Sequence, residues 1–537
     1  MKIVNATPDN RHHGPGIELD NASTKEISMT LSRYHVGSSG SSRTAYQLRV
    51  ALASALALLF LYLRMLAALG GHGQGIPEPA RAQEMMKRFG TFRSIAPSPG
   101  DRILVIAPHS DDETLGAGGF LYDAIRRGAS AYVALMTNGD GFTLAANREF
   151  RILRVTSRKF IELGYKRQEE SIEALGILGV PAGNVFFLGY PDRGLAPMWH
   201  ENWLTPYLSR FTKATKSPYY NSYHSETSYC GQDVCRDLEE IILKVRPTII
   251  LTASPIDMHP DHWATYNFTL YVIERLAQKG MLPGPGPHVL WYLVHRGNWP
   301  YPRGFRPATG LLPLNALAYA DFEWDVYRLS AEAVLAKSEA IRAYKSQMSI
   351  MASYLLSFAR ATELFGEATV VSVPDISSSG LIIDGRLDDW PAAIKPMREP
   401  VMDCLVRKVE GGGDFESILV GKDATELYLA MNLRTEASRE ILYRLHLHSV
   451  DVRGHEGPEG DIDLTFRPRE KGPVHIIAPA HKELDLRMIK AASHGKTIEI
   501  AVPLGLIGNP RSLFLGIESR FQGMMVDRTT WRILELH

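Results

Sequence analysis

The sequence predicts a Rossmann-like α/β domain, a mostly parallel sheet with helices on both faces, followed by an all-β sandwich. Three observations carry that reading. From Asp101 to about Arg246, strand-length apolar runs alternate with helical patterns. Two clusters of His and Asp stand at the carboxyl ends of two of those runs. After about residue 370 the texture changes to short strand-like runs cut by Gly, Pro and Asp turns.

Taken in order, residues 1–49 are polar, rich in Ser, Asn and Gly, and read as a disordered cytoplasmic segment. Val50 to Leu69 is an apolar run whose one charge is Arg64, about the roughly 20 residues a membrane span needs. Arg33, Arg43 and Arg49 precede it with no acid among them. The positive-inside rule then puts everything after the span outside the cytoplasm. The expectation is a signal anchor at 50–69, a linker at 70–98 and an extracytoplasmic remainder, secreted if the segment is cleaved.

The α/β region is expected at 99–368. RILVIAP (Arg102 to Pro108) is a buried strand, and the run after it is a helix closed by Gly128. AYVALMT, NVFFLG and TIILTA are the further strands, separated by helices at Arg167 to Gly179 and around DVCRDLEEIILKV. Ser330 to Gly366 reads as a closing helical stretch. A linker follows at 369–380, and SILVG, LYLAMNL, ILYRLHLH, DIDLTF, TIEIAVPL and LFLGIES are strands of a sandwich at 381–537.

Composition narrows the function. Lys plus Arg and Asp plus Glu are 59 each, so no overall basic field gathers nucleic acid. The three cysteines, Cys230, Cys235 and Cys404, lack zinc-ribbon spacing. Cys230 and Cys235 are a candidate pair in an oxidising compartment, or two inert buried thiols.

In an open α/β sheet, ligands bind at the carboxyl ends of strands. His109-Ser110-Asp111-Asp112-Glu113 follows the first strand, and Asp257 to His262 follows TIILTA. A strand ending in His-x-x-Asp, joined by a second imidazole, offers three N/O ligands and an open position, as catalytic zinc requires. His109, Asp112 and His262 are the candidate ligands. Asp111 is placed to take a proton from water, and His259 to donate to a developing oxyanion or a leaving amine.

PHSDDE (Pro108 to Glu113) and HPDH (His259 to His262) resemble the two metal motifs of the PIG-L/LmbE-like zinc de-N-acetylases. TNGDG, LGYPD, YLVHRGNWP, AYKSQ and FARATELF extend the likeness over about residues 100 to 366. Ser110 stands where the family has proline. The resemblance implies one zinc on His109, Asp112 and His262, with Asp111 as general base and His259 stabilising the tetrahedral intermediate. It implies further that Asp192 orients His259 and that Arg167 lies near the site. The implied reaction is removal of the N-acetyl group from an N-acetylglucosamine-type glycan or glycoconjugate in a bacterial protein. The alternatives are a silent glycan-binding protein and a hydrolase of a non-sugar amide. Trp199 and Trp203, in an aromatic stretch from Met198 to Tyr229, are candidate sugar-stacking residues, and His295 and Arg296 candidate pocket residues.

LIIDGRLDDWP (Leu381 to Pro391) resembles the opening of family 9 carbohydrate-binding, DOMON-like modules. That resemblance implies glycan binding. Asp384, Asp388 and Asp389 are a candidate calcium site or turn-forming residues, Trp390 a core residue and Trp531 unassigned.

Overall fold

The computed structural model describes residues 95–401, 412–450, 461–468, 472–473, 475–477 and 485–536. The expected anchor at 50–69 and Cys404 lie outside them. No helix among the described residues is long and apolar enough to cross a membrane.

The first sheet has seven strands in the order β3-β2-β1-β4-β5-β7-β6. The strands are β1 (Arg102–Ala107), β2 (Ser130–Thr137), β3 (Val185–Tyr190), β4 (Ile249–Ala253), β5 (His288–Tyr292), β6 (Trp324–Arg328) and β7 (Thr362–Glu367). β3 through β5 run parallel, and β7 and β6 close the edge antiparallel. β1 is central and buried from Ile103 to Ala107, which explains its uninterrupted apolar sequence. The helices are α1 (Asp112–Arg126), α2 (Thr143–Phe150), α3 (Ser157–Leu178), α4 (Leu195–Trp199), α5 (Gly231–Val245), α6 (Pro260–Gln278), α7 (Ala331–Ala343) and α8 (Lys345–Leu355). α3 begins ten residues before the expected Arg167, capped by Thr156, whose hydroxyl accepts from Lys159 N–H at 3.4 Å.

Two expectations are corrected. The helical stretch read to Gly366 ends at Leu355, and Thr362–Glu367 is a strand. Its edge partners β5 and β6 decide this, and Gly366 lies under the Trp291 ring, with room for no larger residue. The stretch expected as a linker contains β8 (Val370–Ser372), which pairs parallel with β20 (Arg532–Glu535) of the sandwich.

The sandwich itself is as expected. One sheet holds β9 (Met397–Arg398), β10 (Phe415–Lys422), β11 (Glu426–Leu433), β14 (Gly472–Pro473), β16 (Lys490–His494) and β17 (Thr497–Pro503) in the order β14-β16-β17-β11-β10-β9; the other, with β15 (His475–Ile477), runs β15-β13-β12-β18-β20-β8, and β19 (Met524–Arg528) also pairs with β18. Among these, β12 (Ile441–Ser449), β13 (Ile462–Arg467) and β18 (Ser512–Phe521) bear on the argument below. Inward-facing Leu, Ile, Val, Phe and Met from both sheets form its core. Trp390 is buried, as expected, and its Nε1 donates to Glu499 Oε1 at 2.6 Å. Phe514, Trp531 and Ile533 join the core of the α/β region, so one apolar core runs across both. Gln278 Nε2 donates to Ser512 Oγ at 2.6 Å across the same contact.

Candidate active site

The candidate metal ligands and proton-transfer residues come from the carboxyl edge of the parallel sheet, and Arg167 joins them from α3. The turn after β1 carries His109, Ser110 and Asp111 into α1. Asp111 is held at φ 120°, a left-handed conformation that costs a non-glycine residue about 1–3 kcal/mol and clusters at functional sites. Its carbonyl accepts from Thr114 N and Leu115 N at 3.0 and 2.8 Å, which starts the helix and explains how the strain is held. Its own N–H donates to Glu113 Oε2 at 3.1 Å, and Glu113 is bonded by the Tyr344 hydroxyl.

The turn after β4 carries the second motif. His259 caps α6, with Pro260 in the first turn as the fixed φ of proline favours. Its Nδ1 accepts the Asp261 N–H at 3.3 Å, so in the neutral ring the proton sits on Nε2. Burial and the neighbouring His109 hold its pKa well below the usual imidazole range, which keeps that ring neutral.

One carboxylate oxygen of Asp112 lies 3.0 Å from His109 Nδ1 and 3.1 Å from His262 Nε2. Asp257 Oδ2 lies 3.0 Å from His262 Nδ1, and Asp261 Oδ2 3.2 Å from His109 Nε2. Burial opposes charge on His262, but Asp112 and Asp257 outweigh it and push its pKa up to about 9. Asp112 is held well below the carboxylate range, with His262 and His109 overcoming its burial. Asp111 moves the other way. Burial drives it up to about 8, Asp112 and Glu113 add to that, and Arg167 only partly offsets it.

A divalent metal fits this donor set. Both His262 ring nitrogens are buried, and neither makes a hydrogen bond of good geometry although carboxylates stand beside them. With Nδ1–H facing Asp257, the neutral ring turns one lone pair, on Nε2, toward Asp112, and two imidazoles with a carboxylate and an open side suit zinc. A cavity of about 130 Å³ opens there, lined by His109, Asp111, Asp112, Arg167, Asp192, His259 and His295, with Met351 and Tyr354 of α8 on its rim.

Arg167, expected near the site, is buried in it. Its guanidinium donates to Gly139 O at 2.6 Å and to Ser110 O, and Nη2 stands 3.5 Å from Asp111 Oδ2. Gly139 adopts φ +59°, and a Cβ there would lie 1.8 Å from Arg167 Nη1. His295 also lines the cavity, 3.0 Å from the Tyr354 hydroxyl through Nδ1. Burial and the positive neighbour His262 bring its pKa down to about 4.

Four expectations need correcting. Asp192 lines the cavity, but its Oδ2 accepts from Gly141 N at 3.0 Å and its Oδ1 stands 3.6 Å from His109 Nε2; the hydrogen bond to His259 Nδ1 comes instead from the Asp261 backbone. Trp199 and Trp203 are away from the cavity. Trp199 is 1% exposed and packs on Phe268, Tyr271, Phe514 and Trp531, because the apolar face of the sandwich covers that end of the loop. Trp203 stacks on Phe268 in the same cluster. Other aromatics of the loop pin it down: the Tyr219 hydroxyl donates to Asp140 Oδ2 at 2.6 Å and that of Tyr229 to Gly189 O at 3.2 Å. Arg296 is not among the residues lining the cavity, and its Nη1 donates to Ile256 O.

Cys230 and Cys235 are buried free thiols. In the sandwich, Asp384 Oδ1 accepts from Arg386 N at 2.9 Å and Asp389 Oδ2 from Ile382 N at 2.7 Å. These are turn bonds, and the calcium reading of Asp384, Asp388 and Asp389 finds no support.

Two residues escaped the sequence reading. Asp257 accepts from His259 N, Val294 N and His295 N at 2.9, 3.1 and 2.9 Å and so ties three site segments together. Asp261 accepts from Arg193 N and Leu195 N at 2.5 and 3.0 Å, joining the β3 and β4 turns. Their signal was present as the two carboxylates flanking His259.

Residues 104–273 match the PIG-L family, described as GlcNAc-PI de-N-acetylase. A 1D-myo-inositol 2-acetamido-2-deoxy-alpha-D-glucopyranoside deacetylase from Tsukamurella paurometabola is 27% identical over 204 residues, 36% of this chain and 63% of that protein. The enzyme of the same name from Mycobacterium sp. (strain KMS) is 28% identical over 268 residues, 47% of this chain and 76% of that protein. The chain thus spans just under two thirds of the Tsukamurella protein's length. Among solved structures, N,N'-diacetylchitobiose deacetylase from Pyrococcus horikoshii aligns with 18% identity and a TM-score of 0.32, covering 55% of this chain and 94% of that one.

Proposed function

We propose that the PIG-L family domain of this chain is a zinc-dependent hydrolase that removes the N-acetyl group of an N-acetylglucosamine-type glycan or glycoconjugate and releases acetate. The observation that carries this reading is one buried carboxylate oxygen of Asp112 standing 3.0 Å from His109 Nδ1 and 3.1 Å from His262 Nε2, with Asp111 and His259 lining the adjoining cleft. The two relatives named above, deacetylases of an acetamido-sugar linked to inositol, support the substrate class.

In this reading His109, Asp112 and His262 hold the zinc, which when bound polarises a carbonyl and brings the pKa of a water toward neutrality. Asp111 accepts the proton of the attacking water, and Arg167 keeps its carboxylate turned to the cleft. The water oxygen bonds to the acetamide carbon. His259 donates from Nε2 toward the charge that develops on the carbonyl oxygen, a contribution of about 10²–10³ in rate for one such donor. The C–N bond breaks as the nitrogen takes the proton held by Asp111, which returns to its carboxylate form, and acetate and a free amine leave. Asp257 and Asp261 keep the β4 turn aligned with the turns after β3 and β5.

The Val50 to Leu69 run supports a membrane-anchored, extracytoplasmic enzyme, which alkaline extraction and protease protection of membranes test directly. For the activity, the full-length chain is assayed for acetate release from the glucosamine–inositol acetamide and from N-acetylglucosamine oligosaccharides, with and without chelator. Chelator-sensitive release from either is the expected result. Bound zinc with no release from any amino sugar contradicts the substrate class.

A further inference from the structure

A second set of metal-type donors lies outside this cleft, where the α/β region meets the sandwich. His200 follows α4, while His446 and His448 stand two apart on β12 and so share one face of that strand. With Asp463 on β13, each of these residues offers a donor atom within 4.8 Å of all the others.

The rings are held as metal ligands are held. Asp463 lies directly across the ladder from His446 and bonds its Nδ1. Asp461 Oδ2 stands 2.7 Å from His448 Nδ1. A carboxylate on one ring nitrogen fixes the imidazole and turns the other nitrogen outward as a ligand. The His200 ring centroid is 4.6 Å from that of His446 and 5.5 Å from that of His448. His446 Nε2 and His200 Nδ1 are buried with no hydrogen-bond partner. Each such orphan costs about 1–3 kcal/mol when nothing satisfies it.

We propose that His200, His446 and His448, with the adjacent Asp463, bind a second divalent transition-metal ion that clasps the sandwich to the α/β domain. Imidazole donors select zinc-type ions over calcium or magnesium. The Trp531 ring lies 5.7–5.8 Å from all three imidazoles, and Trp263 stacks on Trp531. Three imidazoles drawn from both domains, two of them buried and held from behind by carboxylates and all three under an indole cover, describe a site that joins the domains. The carboxylates of Asp461 and Asp463 beside the imidazoles supply negative charge that such an ion balances.

The test is a zinc count on the full-length chain by plasma mass spectrometry after equilibration and desalting. Wild type is expected to hold two equivalents. His446→Gln and His200→Gln, from different domains, each hold one and keep the chelator-sensitive activity, if any, of the first cleft. His262→Ala also holds one, and His262→Ala/His446→Gln none. Cobalt titration of the wild-type chain, followed by its visible absorption, is expected to saturate at two equivalents and needs no variant to fold. A metal content in His446→Gln and His200→Gln equal to that of wild type, whatever His262→Ala retains, overturns the proposal. Because the readout is metal content, it stands or falls separately from the deacetylase reading.

Discussion

Replacing Lys337 by methionine removes one half of a buried ion pair that is built into the helix carrying Asp112. Lys337 Nζ and Glu363 Oε1 are 2.6 Å apart, and both side chains are wholly buried. Nζ also donates to Leu115 O at 2.7 Å, while Glu363 accepts from Gly119 N and Phe120 N at 2.8 Å each. Leu115 and Gly119 are the i and i+4 positions of α1, so the pair grips the helix at the groups of its own ladder. Removing one partner of such a pair costs about 3–5 kcal/mol, because the other charge stays buried. At about 2–4 °C per kcal/mol for domains of roughly 150–250 residues, K337M is expected to melt about 6–20 °C lower. Glu363→Gln on top of K337M should recover part of that loss, since it removes the stranded charge.

The loss in K337M is also expected to depend on pH. Burial raises the Glu363 pKa above its ordinary value, and Lys337 opposes the rise. Without the lysine, folded Glu363 keeps its proton to higher pH than the unfolded chain does. Stability then falls as pH rises through the folded pKa. The deficit of K337M should therefore be smaller at pH 5 than at pH 8, measured by urea unfolding with tryptophan fluorescence. A variant within about 1 kcal/mol of wild type, the low end of what a single contact contributes, or an equal deficit at both pH values, refutes the reasoning.

Three further outcomes follow from the geometry. Gly139→Ala drives a methyl into Arg167 Nη1 and should cost about 10²-fold in kcat/KM with metal content unchanged, as misplacement near 1 Å does; wild-type activity in acetate-release kinetics contradicts the role given to Arg167. Trp199→Ala should destabilise by about 3–5 kcal/mol in urea unfolding and leave KM for the amino sugar unchanged, because the ring fills the interdomain core; a raised KM with normal stability restores the sugar-stacking reading. Trp390→Phe strips a donor from the buried Glu499 carboxylate and should cost about 1–3 kcal/mol by the same measurement, without touching activity.

The parts of the site legible in sequence are those set by short spacing. His109, Ser110, Asp111 and Asp112 occupy one turn, and His259 with His262 the first turn of one helix, so strand-end placement alone brings them toward a common edge. The role of Asp192 was not legible in that way. Its loop brings the carboxylate to the cleft, yet which of several donors it meets depends on how the β2 and β3 turns pack. Aromatic richness from Met198 to Tyr229 says that the loop is anchored, not on which side: Trp199 packs against the sandwich, and Trp203 against Phe268 and Tyr271 of α6. Thr362–Glu367 continues an apolar pattern that reads as helix until β5 and β6 pair with it. The cluster of His200 with His446 and His448 draws on two domains, and no local pattern announces it.

The central claim is that Asp111 is the proton acceptor of a metal site built by His109, Asp112 and His262. The most direct measurement compares zinc content and acetate release for wild type, Asp111→Asn and His262→Ala on the acetamido-sugar substrate. The expected result is that Asp111→Asn keeps the wild-type metal content and loses about 10²–10⁴-fold in turnover. His262→Ala should lose both activity and one equivalent of metal. An Asp111→Asn enzyme with wild-type turnover contradicts the account.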